Sequence, residues 1–439
     1  MMRSQYRAVI IIACLSAMLS LAYAFYYHDR PRADALGYDR IGWNLAQGNG
    51  YIEDVANIDR PAEDWAINRV GPGYQFFLAG LYFLFGHQVW VVWVAHALLR
   101  VVSTVLVWLI ARKLFPDDAR TALVAALLFA LSPDFILVSG LLLTETLYAA
   151  VMLAALLGVL AIFEIRRPAT GLTLITGFFF AVALLVRPTT LFVVMLFCAI
   201  LIYQKRWREL VASLVLPILI VGSWSVFATM RFDRFILTTG VGAYDLWVGN
   251  SPGATGGFEK TPEVQEARNT MSHKELDAYS KKKYWEFFTT QPLEFMQLQV
   301  RKTTLYFSTL RPGGYWPHLY ARAIELRATL AASMLWTIAL FVAGIAGALV
   351  LFQTRQDLGM RFLLGAALLQ PISVIPLIVE TRYRYPLLLL LIFFGAYAMT
   401  HLGKAKQAFL YASIVLSIAT FGDFVFHMSD ILEKARRIF

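Results

Sequence analysis

Runs of roughly 17–25 apolar residues recur along this 439-residue chain, the length a helix needs to cross about 30 Å of hydrocarbon. Inside lipid every backbone N–H and C=O must be satisfied within the segment, so these runs are read as helices. The composition agrees, with 59% hydrophobic and 15% charged residues, against about 45–50% and about 25% in ordinary soluble domains. The expected fold is therefore all-α, integral to the membrane and polytopic, with about 11 transmembrane helices and two large external loops that carry surface helices.

The spans are placed near 7–27, 88–113, 121–137, 144–164, 171–187, 189–203, 209–229, 331–352, 361–379, 384–401 and 407–426. A stretch at 74–86 is too short to span comfortably and is expected in the interface. This divides the chain into an N-terminal membrane module (1–229) with a first external loop (28–87), a large external region (230–330), and C-terminal helices with an amphipathic tail (331–439).

The net charge of +10 does not mark a nucleic-acid binder, because Lys and Arg fall in short loops between apolar runs. Arg3 and Arg7, then Arg112, Lys113 and Arg120, then Arg166 and Arg167, then Lys205, Arg206 and Arg208, then Arg355 and Arg361, then Lys404 and Lys406 all fall on one side if the helices alternate. That side is expected to be cytoplasmic, with both long polar segments on the periplasmic face of a multi-pass protein of the inner (plasma) membrane. Lys434, Arg436 and Arg437 strain this rule: either the tail lies on the surface or one span is miscounted. The first run is read as an uncleaved helix because it lacks a small-x-small cleavage site.

Cys14 and Cys198 lie inside apolar runs and imply neither disulfide nor metal. The seven His are scattered without ligand spacing, and His96 and His401 are read as packing or interface residues. The Gly-rich stretch around Gly249, Gly253, Gly256 and Gly257 lacks the Lys-Ser/Thr of a nucleotide loop. No Asp-x-Asp pair occurs, so neither a metal nor another cofactor is expected. No internal repeat is visible, which sets the chain apart from many transporters.

The first external segment opens with Asp34, and Tyr38, Ile41 and Leu45 follow at helical spacing. The plain reading of Asp34 is a carboxylate favoured at a helix start, and the same holds for Glu145 behind Thr144. Arg187 before Pro188 has snorkelling as its plain reading. Lys302 on an amphipathic stretch has contact with anionic headgroups.

Taken in order, these segments resemble a known family. Asp34 with Tyr38, then Asn44-Leu45 and Gly48-Asn49-Gly50-Tyr51, are similar to the first periplasmic loop of GT-C glycosyltransferases of the protein O-mannosyltransferase and lipid A aminoarabinose transferase type. Arg69 through Pro72-Gly73-Tyr74, Thr144-Glu145-Thr146, Arg187-Pro188-Thr189, the loop from Gly242 to Gly256 with Trp247 and Asn250, and Arg382-Tyr383-Arg384-Tyr385-Pro386 resemble further family segments in the same order. The resemblance runs from about residue 7 to about residue 400.

It implies transfer of a sugar, with inversion, from a polyprenyl-phosphate carrier to an external acceptor: lipid A, another envelope glycan such as lipopolysaccharide, or a protein. Membrane lipids are further partners. Asp34 is the implied base, with Asp39 as the fallback and otherwise a solvated helix-face charge. Glu145 is implied as the second catalytic carboxylate. Tyr38, Arg69, Tyr74, Arg187, Asn250, Lys302, Arg382 and Arg384 are the expected substrate-binding residues, the arginines on the phosphate. Many members carry Asp-Glu where this chain has Asp34-Ala35. The rival readings are a lipid-linked glycan flippase or transporter, an O-antigen ligase-like protein, and an inactive scaffold.

Overall fold

The computed structural model describes residues 2–165, 169–311 and 323–438. Arg166 and Arg167 lie outside the described residues, as do the side chains of Arg3, Lys434, Arg436 and Arg437. Among the described residues every regular element is a helix. The chain forms two compact units, one of Met1–Val241 with Arg355–Ala366, the other of Gly242–Thr354 with Ala367–Phe439.

The first unit begins with α1 (Met2–Tyr27), followed by α2 (Asp34–Ala46), α3 (Gly73–Phe85) and α4 (Val89–Leu114). Then come α5 (Ala119–Ala130), α6 (Pro133–Ser139), α7 (Glu145–Glu164), α8 (Thr170–Val186), α9 (Leu191–Tyr203) and α10 (Trp207–Phe232). The second unit holds α11 (Gly242–Val248), α12 (Pro262–Thr270), α13 (His273–Thr290), α14 (Pro292–Phe307), α15 (Ala323–Thr354), α17 (Tyr385–Thr400), α18 (Leu402–Phe426) and α19 (Met428–Ile438). Helix α16 (Leu358–Val374) contributes to both.

Seven helices among the described residues are long and apolar enough to cross a bilayer, or eight if α5 and α6, bent by 48° at their junction, form one broken span. Three more of the expected spans fall on α8, the Pro188–Tyr203 segment and α16, which are shorter apolar helices. A helix of 17 residues rises only about 25 Å, short of a full hydrocarbon core. The α5–α6 break is local chemistry. Ser132 caps α6 with Pro133 at its first position, while Arg100 of α4 donates to the terminal α5 carbonyl of Ala130 at 2.8 Å. A cation at a helix C-terminus meets the negative end of its dipole.

Within the first unit the basic ends gather as expected. Lys113 at the end of α4 pairs with Glu164 at the end of α7. Arg206 donates to Ile162 O at 2.9 Å, and Arg355 to Leu114 O at 3.0 Å. In the second unit the tail forms α19, and Arg311 Nη1 lies 3.2 Å from Asp430 of that helix. That contact ties α19 to the segment just after α14.

Candidate functional site

Helix α2 starts abruptly because Ala33 takes a left-handed φ of 48°, which makes Asp34 the first helical residue. No side-chain cap forms there. Instead Asp34 Oδ1 accepts from Arg69 Nη1 at 3.0 Å. Arg69 Nε and Nη2 donate to the two oxygens of Glu53 at 2.8 and 2.7 Å, a fork on a carboxylate. All three side chains stay partly accessible, at 25% for Asp34, 17% for Arg69 and 14% for Glu53. A Cβ on Gly37 would overlap the guanidinium, so glycine at that position lets Arg69 lie flat on α2. Burial alone works against the Arg69 cation, but the Glu53 bonds and the charges of Glu53 and Asp34 outweigh it and raise its pKa.

Asp64 builds the loop that delivers Glu53. Its carboxylate, 1% exposed, accepts from the backbone amides of Glu53, Asp54 and Ala66 at 2.8, 3.0 and 2.8 Å, and from Asn57 Nδ2 at 3.1 Å. Neither Glu53 nor Asp64 was among the expected site residues. The only sequence signal was their position just after the Gly48–Tyr51 segment.

Gly71 and Gly73 sit against the backbone of Leu185 and Val186, where a side chain on either would clash. This close approach lays the loop after Arg69 on the end of α8, next to Arg187. Arg187 Nη2 donates to Glu145 Oε1 at 2.5 Å, and its guanidinium lies 5.6 Å from the Tyr148 ring centroid. Glu145 is 1% and Arg187 9% exposed. Glu145 is thus an ion-pair partner rather than a capped first-turn charge, and Thr144 donates to its other oxygen at 3.3 Å. Arg187 Nε is buried and meets no acceptor among the described residues.

Tyr38 and Tyr74, 1% and 0% exposed, pack edge to face with ring centroids 5.7 Å apart. Both rings are buried in the core of the first unit. His96 Nδ1 lies 3.0 Å from the Ser139 carbonyl, which can only accept, so Nε2 accepts from Tyr74 Oη at 3.2 Å. Asp39 is not a solvated charge: it is 6% exposed and takes Tyr82 Oη at 2.5 Å and His87 Nε2 at 2.9 Å. Its place on the α2 face that packs on α3 decides this.

In the second unit, Lys302 of α14 is fully buried. Its ammonium donates to Asn250 Oδ1 at 2.6 Å, Leu377 O at 3.0 Å and Pro376 O at 3.2 Å. Asn250 Nδ2 donates to Leu246 O at 2.6 Å and Pro376 O at 2.9 Å. These groups hold one another and the chain. Burial pushes the Lys302 ammonium down to about 7.

Arg384, 1% exposed, donates to the carbonyls of Leu305, Ser308 and Arg311 at 2.6, 3.0 and 2.8 Å. It closes the C-terminal end of α14. Arg382 is half-buried, with its guanidinium 5.4 Å from the Tyr383 ring centroid. Among the described residues no three His, Cys, Asp or Glu side chains converge as metal ligands would.

Residues 69–230 match the family model described as dolichyl-phosphate-mannose-protein mannosyltransferase. No curated protein matches the chain. The fold is similar to the Archaeoglobus fulgidus oligosaccharyltransferase solved with Zn and sulfate, at 15% identity and a TM-score of 0.54 over 97% of this chain and 53% of that one. It is similar also to the oligosaccharyltransferase AglB of the same organism, solved with an inhibitory peptide and a dolichol-phosphate, at 14% identity and 0.54 over 97% and 56%. The chain therefore spans about half the length of these solved relatives. ArnT from Cupriavidus metallidurans bound to undecaprenyl phosphate aligns at 14% identity and a TM-score of 0.41, over 89% of this chain and 78% of that one.

Proposed function

We propose that this chain is a membrane glycosyltransferase of the GT-C type that moves a sugar from a polyprenyl-phosphate carrier to an extracytoplasmic acceptor, with inversion at the anomeric carbon. The observation that carries the reading is the Asp34–Arg69–Glu53 arrangement at the start of α2. Glu53 orients Arg69, Arg69 orients Asp34, and the Asp34 carboxylate keeps a quarter of its surface accessible. An oriented, accessible carboxylate is what a single displacement needs as a base.

In the reaction an acceptor hydroxyl gives its proton to Asp34 as its oxygen bonds to the anomeric carbon. The bond from that carbon to the carrier phosphate breaks, and the electron pair leaves on the phosphate oxygen. Arg187, whose Nε meets no acceptor among the described residues, supplies positive charge for that oxygen. Arg69, with carboxylates on both sides, serves as positioner instead of phosphate ligand. Arg382 is a second candidate for the carrier. A lipid-phosphate donor is in keeping with the dolichol-phosphate bound to AglB. The acceptor is a glycan, a lipid or a protein on the external face.

The test is transfer by purified protein from synthetic polyprenyl-phosphate sugars to an envelope extract. Wild type that transfers, with a loss of about a hundredfold or more in Asp34→Asn, is the expected result. Equal rates in both remove Asp34 from the mechanism. Binding of the lipid-linked sugar without turnover overturns the enzyme reading in favour of a flippase or scaffold.

A further inference from the structure

His427 stands just beyond α18 with its side chain 6% exposed. Nε2 lies 2.9 Å from the Thr255 carbonyl, and Nδ1 lies 2.9 Å from Asp423 Oδ1. A carbonyl only accepts, so Nε2 carries a hydrogen. A carboxylate faces the other nitrogen, where a bare lone pair would be repelled. Only the imidazolium suits both neighbours.

The surrounding charges close this account. Asp423, fully buried, also takes Arg311 Nε at 2.9 Å, and Arg311 Nη1 pairs with Asp430 of α19. Two carboxylates, one guanidinium and one imidazolium are neutral together. On loss of one proton the hydrogen left on the ring stays on Nδ1, because the Asp423 carboxylate is a stronger acceptor than the Thr255 carbonyl. Nε2 then turns a lone pair to Thr255, that bond is lost, and the enclosed cluster carries an excess negative charge. On α14, Arg301 stacks over the Phe426 ring at 5.4 Å, and Lys302 reaches Gly256 with its aliphatic stem. The 249–257 loop itself has no ionisable side chain.

Asn250 anchors the start of that loop through Lys302 and Pro376, whereas its second half is rich in glycine. Gly253 and Gly256 take φ of 77° and 89°, and the Thr255 carbonyl between them is the atom that His427 holds. On the far side, Val379 N donates to Gly256 O at 3.0 Å.

We infer that His427 is a positioning residue that pins the glycine-rich 249–257 loop through Thr255, and that this hold is released as the pH rises. Burial acts first and disfavours the His427 charge, but the Asp423 and Thr255 contacts outweigh it and raise its pKa above the ordinary 6.5. A raised folded-state value means that the hold is fully present below 6.5 and is lost as pH climbs through the folded value. Deprotonation of Lys302 runs the other way, because its buried ammonium is disfavoured. Any effect of the loop on turnover rests on the glycosyltransferase reading; the pinning does not.

The experiment is amide hydrogen exchange on the full chain in lipid nanodiscs, following peptides over 249–257 from about pH 6 to about pH 9. Wild type, His427→Gln and Asp423→Asn are compared after correction for intrinsic exchange. Glutamine keeps a donor for Thr255 but does not titrate. Wild type is expected to lose about tenfold protection or more, and His427→Gln to show no such loss. Asp423→Asn is expected to move the loss to lower pH. Equal pH dependence in wild type and His427→Gln, or a flat wild-type series, overturns the proposal. The exchange pattern with no sugar transfer from any donor sinks the glycosyltransferase reading alone; transfer with a flat series sinks the pinning alone.

Discussion

Arg69 and Glu53 meet through two hydrogen bonds, Nε to Oε2 at 2.8 Å and Nη2 to Oε1 at 2.7 Å, across a separation of 16 positions in the chain. The fork fixes the plane of the guanidinium, and its remaining edge turns to Asp34 at 3.0 Å. Orientation thus passes from Glu53 to the proposed base without Glu53 touching it.

Loss of that orientation is expected to appear in kcat. Arg69→Lys keeps the charge but cannot make the fork, and a misplaced catalytic group can cost about a hundredfold. Arg69→Lys and Glu53→Gln are both expected to lower kcat with a smaller change in KM, Glu53→Gln the less of the two. Steady-state kinetics on donor and acceptor check this; a pure KM effect would assign Arg69 to substrate binding.

The Glu145–Arg187 pair is almost fully enclosed, at 1% and 9% exposure. Removing one partner leaves the other charge buried, at a typical cost of about 3–5 kcal/mol. Arg187→Met and Glu145→Leu should each lower the thermal midpoint strongly in detergent. The double variant should be less destabilised than the sum, as a double-mutant cycle will show.

Asp64 acts on stability of the first external loop. Asp64→Ala leaves the amides of Glu53, Asp54 and Ala66 without their acceptor. A loss of about 3 kcal/mol is expected from bonds to one charged, buried group. Faster proteolysis between residues 50 and 66, with the membrane helices intact by circular dichroism, is the readout.

Lys302 predicts a slope with pH. Its folded value of about 7 lies below the ordinary 10.5, so between these limits the unfolded chain holds the extra proton. Stability from this group therefore rises as pH increases from about 7 towards 10.5. Thermal midpoints of wild type relative to Lys302→Met should diverge in favour of wild type over that range. Parallel curves would mean that the three carbonyl acceptors keep Lys302 charged in the fold.

Most of the helices could be read from the chain because a membrane segment satisfies its own backbone, and length with apolarity is then enough. Within the first unit the gathering of Lys113, Arg206 and Arg355 followed from the same loop pattern. The α5–α6 break was harder, since Ser132-Pro133 inside an apolar run reads equally as a kink or as a continuation.

The site was legible as residue types in order, not as partners. Asp34, Arg69, Glu145 and Arg187 stood out singly, yet which carboxylate meets which guanidinium depends on Gly37, Gly71 and Gly73 allowing close backbone approach. Asp39 reads as solvated from the chain because a single residue step along α2 separates it, packed on Tyr82, from the exposed Arg40. Lys302 and Arg384 are each enclosed by chain carbonyls, which no local pattern announces.

The sequence by itself determined a helical membrane chain and the residue types available for its chemistry, because burying apolar runs in lipid leaves the backbone few alternatives. Only the tertiary structure decided which charges are paired, which are enclosed and which remain accessible. Those outcomes depend on contacts between residues far apart in the chain, such as Glu53 with Arg69 and Thr255 with His427, and local pattern carries no record of them.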